Sequence, residues 1–476
     1  MLNLETSKKN NFREKGAIIT LVLVFGVIFL ILLSSLFGFI LFQLRASVKE
    51  VAWNESLHLA EAGIDYYKWC LNNEAEGNCL LDKSYYDPAG NLMGEFSLDI
   101  DTTLSCGETI QRNITSSGWT EDFPNIKRKV AVSYGRTSVA RFAYLLNDNV
   151  WAGPDREVKG FYHSNGGIRM DGENQSLVSS SRETWVCTSS FGCSSCPFDC
   201  NLEAGNCVCP GVFTTTNNAQ TDLFDYPVSP FDFEGITIDL AQIKAAAQDY
   251  DAYFPPVRDI DSDGEGYHLV FKNDGTFEVR IITDLSASWA YNYEQGWHWD
   301  YFNISDEYLY DTYSINPSCS VVFFEDNLWV EGKVEGKVTV ASANLVEANI
   351  DTDIILPGDI EYSLGDSPDG LALIGENNVL ISPSSPDSME LKGIFVAQKG
   401  HFGRNHYLGN IKEQLEITGS IVSNGRVGTQ WISGSVTVSG YKKRENYVDR
   451  NLIYNPPPFV PYTTFEFEVV RWQEVE

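Results

Sequence analysis

Positive charge is scarce in this chain. Its 476 residues include 34 Lys and Arg against 65 Asp and Glu, which gives a formal net charge of −31 at pH 7. A surface this acidic repels the phosphates of nucleic acids, so nucleic acid is not an expected partner. Glycine is frequent and aromatic residues make up 13% of the chain, a composition that favours a mainly β protein.

Histidine is rare and the common catalytic motifs are missing. The sequence has six histidines, no Gly-x-Ser-x-Gly elbow, no His-Glu-x-x-His and no phosphate-binding loop. His401 and His406 form a close pair that a turn explains. Asp366 and Asp369 are candidates for the general acid and base of a glycan-cleaving enzyme, although the segment around them is ordinary turn sequence. We therefore expect that the chain is not an enzyme.

The segment from Ala17 to Leu44 contains no charged residue and no histidine. The 26 residues of Ala17–Phe42 would form a helix about 39 Å long, enough to cross a hydrocarbon core of about 30 Å. Lys8, Lys9, Arg13 and Lys15 precede it, so the N-terminus is expected in the cytoplasm and the body outside an inner or cytoplasmic membrane. The apolar stretch is too long for the core of a cleaved secretory signal.

Apolar residues continue at helical spacing beyond the span, which extends the predicted helix to about residue 71. The basic leader, the junction Gly16-Ala17 and this apolar-then-amphipathic helix resemble the class III leader of type IV pilins. The resemblance implies cleavage between Gly16 and Ala17 by a prepilin peptidase, and other pilins as partners of the helix. Leu21 departs from the pattern, because most pilins carry Glu at this position. In this respect the chain resembles minor pilins and tip pseudopilins, which often lack the Glu. An ordinary uncleaved anchor is the alternative.

Residues 72–140 predict a small antiparallel unit. Alternating apolar residues occur in 94–104, 110–119 and 128–134, which predicts three strands packed on the amphipathic half of the helix.

Residues 150–460 contain short apolar runs separated by glycine, with related segments such as Gly160–Ile168 and Gly419–Val427. Their irregular spacing predicts a parallel β-solenoid, with a β-sandwich as the alternative. Two insertions interrupt it, a Cys-rich one at 185–215 and one at 239–311, with a helix over 240–250. Residues 461–476 are expected to form an extended tail.

Several of these segments are similar to the extracellular β regions of PilX-like pilus-associated proteins, namely His163–Ile168, Trp329–Ser342, Gly393–Gly403, Gly419–Val427 and Gly440–Arg444. The resemblance implies a structural minor pilin-like subunit at or near a filament tip, displaying an adhesive β-rich body at the cell surface. The alternative is a membrane-anchored β-helix enzyme or binding protein that acts on glycans.

Ten cysteines agree with an exported body, because thiols outside the cell oxidise. Cys70 and Cys79 predict a local disulfide, and Cys106 and Cys319 a long-range one. The Cys-rich insertion predicts disulfides whose pairing the sequence leaves open, or a zinc site at the CxxC pair. Its six cysteines are Cys187, Cys193, Cys196, Cys200, Cys207 and Cys209.

The alternating carboxylates of Asp259, Asp261 and Asp263, followed by Gly264, resemble part of a calcium loop. The residue where an EF-hand has its bidentate Glu is Val270, so a solvated acidic turn is the preferred interpretation. No other cofactor is expected.

Six aromatic residues at odd positions predict one shared face if their segment is extended. We expect this face to be buried as the core of the second insertion, because aromatic ladders usually pack, while an exposed face would be suited to binding sugars. The six are Trp289, Tyr291, Tyr293, Trp297, Trp299 and Tyr301.

Overall fold

A computed structural model describes residues 14–73, 79–233, 239–347, 350–363, 369–434, 436–464 and 466–475. The chain divides into two compact units. The smaller one comprises Met1–Asp101, Asn113–Val132 and Arg471–Glu476, and the larger one comprises Thr102–Arg112 and Ser133–Val470. The expected fold class is confirmed: the protein is mainly β, with one long N-terminal helix, a small antiparallel sheet and a large parallel sheet.

The N-terminal helix runs from Glu14 to Asn72. Its apolar residues from Ile18 to Leu44 are exposed almost throughout. Further along, buried residues recur every three to four positions and form one face of the helix. They are Ala52, Ser56, Leu59, Ala60, Ile64, Tyr67, Cys70 and Leu71.

The antiparallel sheet covers this buried face of the helix. Tyr66 of the helix contacts Phe96 of the sheet, with ring centroids 5.8 Å apart, and the Ser56 hydroxyl donates a hydrogen bond of 2.9 Å to the Ile126 carbonyl. The sheet has five strands, in the order Asp82–Tyr86, Leu92–Ser105, Glu108–Thr120, Arg128–Gly135 and Glu468–Val475. Both outer strands are additions to the three expected ones, and residues 461–476, expected as an extended tail, supply the last of them.

The larger unit is built from ladders of parallel strands stacked as rungs. The first ladder contains ten strands, each paired in parallel with the next. In stacking order they are Tyr253–Phe254, Val321–Phe324, Lys337–Ser342, Gly370–Gly375, Ser388–Ala397, Ile411–Ser423, Phe142–Leu146, Phe161–Ser164, Val178–Ser180 and Phe224–Asp225.

Two further ladders complete the rungs. The second ladder joins Gly266–Phe271, Leu328–Val334, Ile354–Leu356, Val379–Ile381 and Phe402–Gly403. A separate three-stranded parallel sheet is formed by Val150–Ala152, Ile168–Met170 and Val212–Phe213. The third ladder joins Leu328–Val334, Ile360–Tyr362, Ser388–Ala397, Ile411–Ser423, Val436–Tyr447, Arg156–Lys159 and Glu173–Asn174.

Side chains at equivalent positions of the rungs stack inside this unit. One column runs through residues that are paired in register and all buried in a single core. Its members are Val322, Val340, Leu373, Phe395, Ile421, Tyr144, Tyr162 and Val178. On the other side of the first ladder, a second core includes Leu240, Ile243 and Ala247 of the helix Leu240–Asp249.

The stacking order differs from the chain order. The strand Phe142–Leu146 lies next to Ile411–Ser423, so the rungs that come first in the chain form one end of the stack. The chain then continues at the opposite end, at Tyr253–Phe254, and the later rungs lead back to Phe142–Leu146. Parallel pairing also begins before residue 150, the expected start of this region.

The remaining strands lie in the insertions and at rung edges. The Cys-rich insertion forms an antiparallel sheet of Thr184–Val186, Asn206–Pro210 and Asn201–Glu203. The second insertion contains the long hairpin of Thr276–Asn292 and Gly296–Ser314. Short strands occur at His406–Tyr407 and Gln430–Ser433, and a last helix spans Arg450–Tyr454.

Candidate functional site

The tip of the long hairpin places four aromatic residues in cross-strand pairs. Trp289 lies opposite Trp299, and Tyr291 lies opposite Trp297. The turn is closed by the Asn292 side chain, whose oxygen accepts hydrogen bonds from the backbone amides of Glu294 and Gln295, and by Gly296 with a φ of +70°. This is the chemistry of a tight hairpin turn, in which glycine takes the left-handed position. The local sequence therefore fixes which aromatic side chains share a face.

That face is exposed, so the expected burial of the six aromatic residues is wrong. Trp289, Trp297 and Trp299 keep 46%, 49% and 56% of their surface accessible, and Tyr293 and Tyr301 are exposed as well. The hairpin packs on the rungs through its other face, where Phe302 and Ile304 contact the core cluster of Trp329, and in the part of the chain that the structure describes no second layer covers the aromatic side. The core of the second insertion is instead formed by residues such as Phe277, Val279 and Ile281.

The exposed rings and the half-buried rings of Tyr291, His406 and Trp431 form one continuous network, which we call the aromatic surface. It consists of Trp289, Tyr291, Tyr293, Trp297, Trp299, His406 and Trp431. The Trp289 and Trp297 rings are nearly parallel, 9° apart, with centroids separated by 6.0 Å. Trp299 meets Trp289 at 4.9 Å, and Trp431 stacks on Tyr293 at 5.1 Å.

Trp431 and His406 are members that the sequence did not indicate. His406 reaches the hairpin because its strand pairs with Tyr291, and Trp431 is held by a hydrogen bond of 2.9 Å from its indole nitrogen to the Arg404 carbonyl. Each is a single ring in a short strand, and nothing in the sequence around it indicates contact with the tip of the hairpin, which is more than 100 residues away in the chain. Burial lowers the pKa of His406, which favours the neutral form of its ring.

The opposite face of the hairpin is anchored by a buried carboxylate. Asp300 is 5% exposed and accepts hydrogen bonds from the Tyr407 hydroxyl at 2.8 Å and from the Asn405 amide at 2.9 Å. His298 Nε2 lies 2.7 Å from the other carboxylate oxygen. Burial and the Asp300 carboxylate raise the pKa of Tyr407, so its hydroxyl stays protonated and keeps donating.

Few charges lie at the aromatic surface. The guanidinium of Arg426 lies over the Tyr293 ring at 4.9 Å and over the Phe191 ring at 4.2 Å, and it donates a hydrogen bond to the Ser190 carbonyl. Glu294 is exposed in the turn. The rest of the surface offers flat rings with polar edges, which can bind a ligand by stacking and hydrogen bonding.

The ten cysteines form five disulfides. Cys70 bonds to Cys79 and Cys106 to Cys319. Within the Cys-rich insertion the pairs are Cys187–Cys193, Cys196–Cys207 and Cys200–Cys209. The structure thus shows one pairing among those that the sequence allows. Cys193 and Cys196, the CxxC pair of the possible zinc site, are both disulfide-bonded and so have no thiolate to offer a metal.

The three aspartates of the possible calcium loop do not converge. The Asp261 carboxylate accepts a hydrogen bond from the Tyr308 hydroxyl at 2.9 Å and from the Asp263 amide at 3.1 Å, and Asp259 and Asp263 are exposed. In the described residues the sets of possible ligands within 4.8 Å of one another consist of cysteines alone. The geometry is that of a solvated acidic turn.

The other candidates occupy ordinary structural positions. Asp369 is buried and accepts a hydrogen bond of 2.7 Å from the Gly336 amide, while Asp366 lies outside the described residues. Burial lowers the pKa of His401. Of the proposed leader, residues 1–13 lie outside the described residues, and for Gly16 and Ala17 the structure describes only helical backbone.

Within the described residues, one helix is long and apolar enough to cross a membrane, and its most apolar stretch is not buried by the rest of the chain.

No family model and no curated protein matches this chain. Among solved structures, the competence-associated pilin ComZ from Thermus thermophilus is a structural neighbour, similar over 89% of this chain and 97% of its own, with 11% sequence identity and a TM-score of 0.28. A TM-score this low carries no argument about function.

Proposed function

We propose that this chain is a structural, non-catalytic minor subunit of a type IV pilus or a related filament, PilX-like in kind, which sits at or near the tip and displays a β-rich binding body. The observation that carries the proposal is the N-terminal helix, because its two halves have opposite surroundings.

The first half of the helix needs an apolar environment that the described part of the chain does not supply. Large apolar residues such as Ile19, Phe25 and Leu30 keep more than 60% of their surface accessible. A continuous apolar cylinder of this size is stable only in lipid or against other apolar helices. A pilin helix uses both, the membrane before assembly and neighbouring pilin helices afterwards.

The second half of the helix is packed in the smaller unit. Gly118 of the sheet lies directly against the helix backbone at Ser56 and Ala60, and Arg128 lies over the Trp53 ring at 4.6 Å. The helix is exposed along its N-terminal half and covered by an antiparallel sheet along its C-terminal half. This arrangement suits assembly by packing of the exposed halves against one another. The sheet then stays outside the helical bundle.

The place at the tip is supported by the size of the larger unit and by Leu21. Most pilins carry Glu at the position of Leu21, and a chain without that Glu resembles minor pilins and tip pseudopilins. The larger unit is built on more than 300 residues, Ser133–Val470, which would crowd a filament shaft in which every subunit repeats it. Five disulfides favour an oxidising exterior for the body. The short basic N-terminus would remain in the cytoplasm until a prepilin peptidase removes it.

N-terminal sequencing after coexpression of the full chain with a prepilin peptidase tests the proposal. We expect recovery of Ala17 as the first residue. Gly16→Leu should abolish cleavage, whereas Gly26→Leu, at a glycine inside the same apolar segment, should leave it intact. An unprocessed Met1 terminus in the wild-type protein would contradict the pilin assignment and favour the alternative, an anchored protein that acts on glycans.

A further inference from the structure

We infer that the aromatic surface is a binding site for an uncharged polysaccharide made of pyranose units. The inference rests on the proposed function only for the location of the body outside the cell, and it gives that body a class of ligand.

Ring geometry is the first support. Trp289 and Trp297 present two nearly parallel indole rings, and the Trp299 and Tyr291 rings lie against them at interplanar angles of 62° and 57°. The faces of a pyranose ring carry C–H groups, which pack on exposed aromatic rings, while its hydroxyl groups point outward. Several connected rings could therefore contact successive sugar units of one chain.

Free hydrogen-bond donors are the second support. In the part of the chain that the structure describes, the exposed indole nitrogens of Trp289, Trp297 and Trp299 have no protein partner, in contrast to Trp431, which bonds to Arg404. An indole ring combines a large apolar face with one polar donor, which suits a ligand that is apolar on its faces and rich in hydroxyl groups at its edges.

Charge decides between neutral and acidic glycans. With a net charge of −31 the protein repels polyanions over a Debye length of about 8 Å at physiological ionic strength. At the aromatic surface the described charges are those of Arg426, whose guanidinium is already stacked between two rings, and Glu294 at the turn. Among the described residues, no cluster of cations that could bind uronic acids or sulfated sugars lies at this surface.

The surface is also held in place before any ligand arrives. Each ring of the network contacts at least one other ring, and Asp300 fixes the hairpin from behind. Aromatic side chains have only two rotatable bonds, so binding to them costs little conformational entropy.

Binding of the full chain, purified in a detergent without a sugar headgroup, to a panel of polysaccharides tests the inference. Pull-down on cellulose and chitin, with titration of soluble mannan and xyloglucan, should identify at least one uncharged ligand, while alginate and polygalacturonate should not bind. Trp297→Ala should weaken binding by about tenfold or more. Trp472→Ala removes a tryptophan of matched exposure, 50% against 49%, from the smaller unit and should leave binding unchanged.

Trp299→Ala provides a second variant in case Trp297→Ala misfolds, and far-ultraviolet circular dichroism checks both. The inference is overturned if wild-type protein binds no uncharged member of the panel, or if both variants bind as well as Trp472→Ala. It is also overturned if the variants alter only the oligomeric state in light scattering, because the surface would then pair with a second copy. These assays use unprocessed protein, so a failure of leader cleavage would not affect them.

Discussion

The Tyr407 hydroxyl donates a hydrogen bond of 2.8 Å to the carboxylate of Asp300, which is buried directly behind the aromatic surface. Asp300 belongs to the hairpin and Tyr407 to a short strand that pairs with it. A buried carboxylate is tolerated only when its oxygens are hydrogen-bonded, and here three side chains surround it. This contact therefore helps to attach the hairpin to the stacked rungs.

Replacing Asp300 should loosen the hairpin. Asp300→Ala leaves the buried donors of Tyr407 and Asn405 without their acceptor, which we expect to lower the free energy of unfolding by about 2–3 kcal/mol. Urea unfolding followed by tryptophan fluorescence would measure the change. Asp306→Ala, an exposed carboxylate on the same strand, should stay within about 0.5 kcal/mol of wild type. Equal effects of the two variants would contradict the anchoring role.

The stability of the folded protein should change with pH through the titration of His268. Burial lowers the pKa of this histidine, but a hydrogen bond with Glu307 at 2.7 Å and the nearby Glu331 carboxylate, 3.5 Å from Nε2, outweigh burial and raise the pKa above its ordinary 6.5. Because the folded pKa is raised, the stabilisation is fully present below about pH 6.5 and is lost as pH rises through the folded pKa.

His268→Gln should remove this dependence, since glutamine does not titrate. We expect the difference in melting temperature between wild type and the variant to be largest near about pH 6 and to shrink toward alkaline pH. Arg280 also contacts Glu307 at 2.7 Å and stays charged in both proteins. A difference that is constant across this range would argue against a charged His268.

Gly118 should be intolerant of any side chain. A Cβ at this position would collide with the backbone of Ser56 and Ala60 on the helix, and backbone atoms cannot move aside cheaply. Gly118→Ala should therefore cost about 1–3 kcal/mol and raise hydrogen exchange in residues 52–71 of the helix. Gly428→Ala is the matched control, because nothing lies within 4 Å of a Cβ there. Similar exchange in both variants would show that the helix is not closely packed at Gly118.

Local patterns in the sequence were sufficient for much of the fold. The uncharged run from Ala17 and the apolar spacing up to Trp69 predict a helix that the structure places at Glu14–Asn72. Alternation of apolar residues predicts three of the five strands of the small sheet. These features depend on neighbours within a few residues, so the chain encodes them directly.

The order of the rungs and the exposure of the aromatic residues were decided by the tertiary structure alone. Nothing near Tyr144 indicates that it pairs in parallel with Ile421, because parallel strands contact each other through long connections that carry no local signal. Periodicity places Trp289 and Trp297 on one face of the hairpin, but burial depends on what packs against that face. The sequence therefore determined which residues lie together, and only the assembled rungs determined that these rings face the solvent.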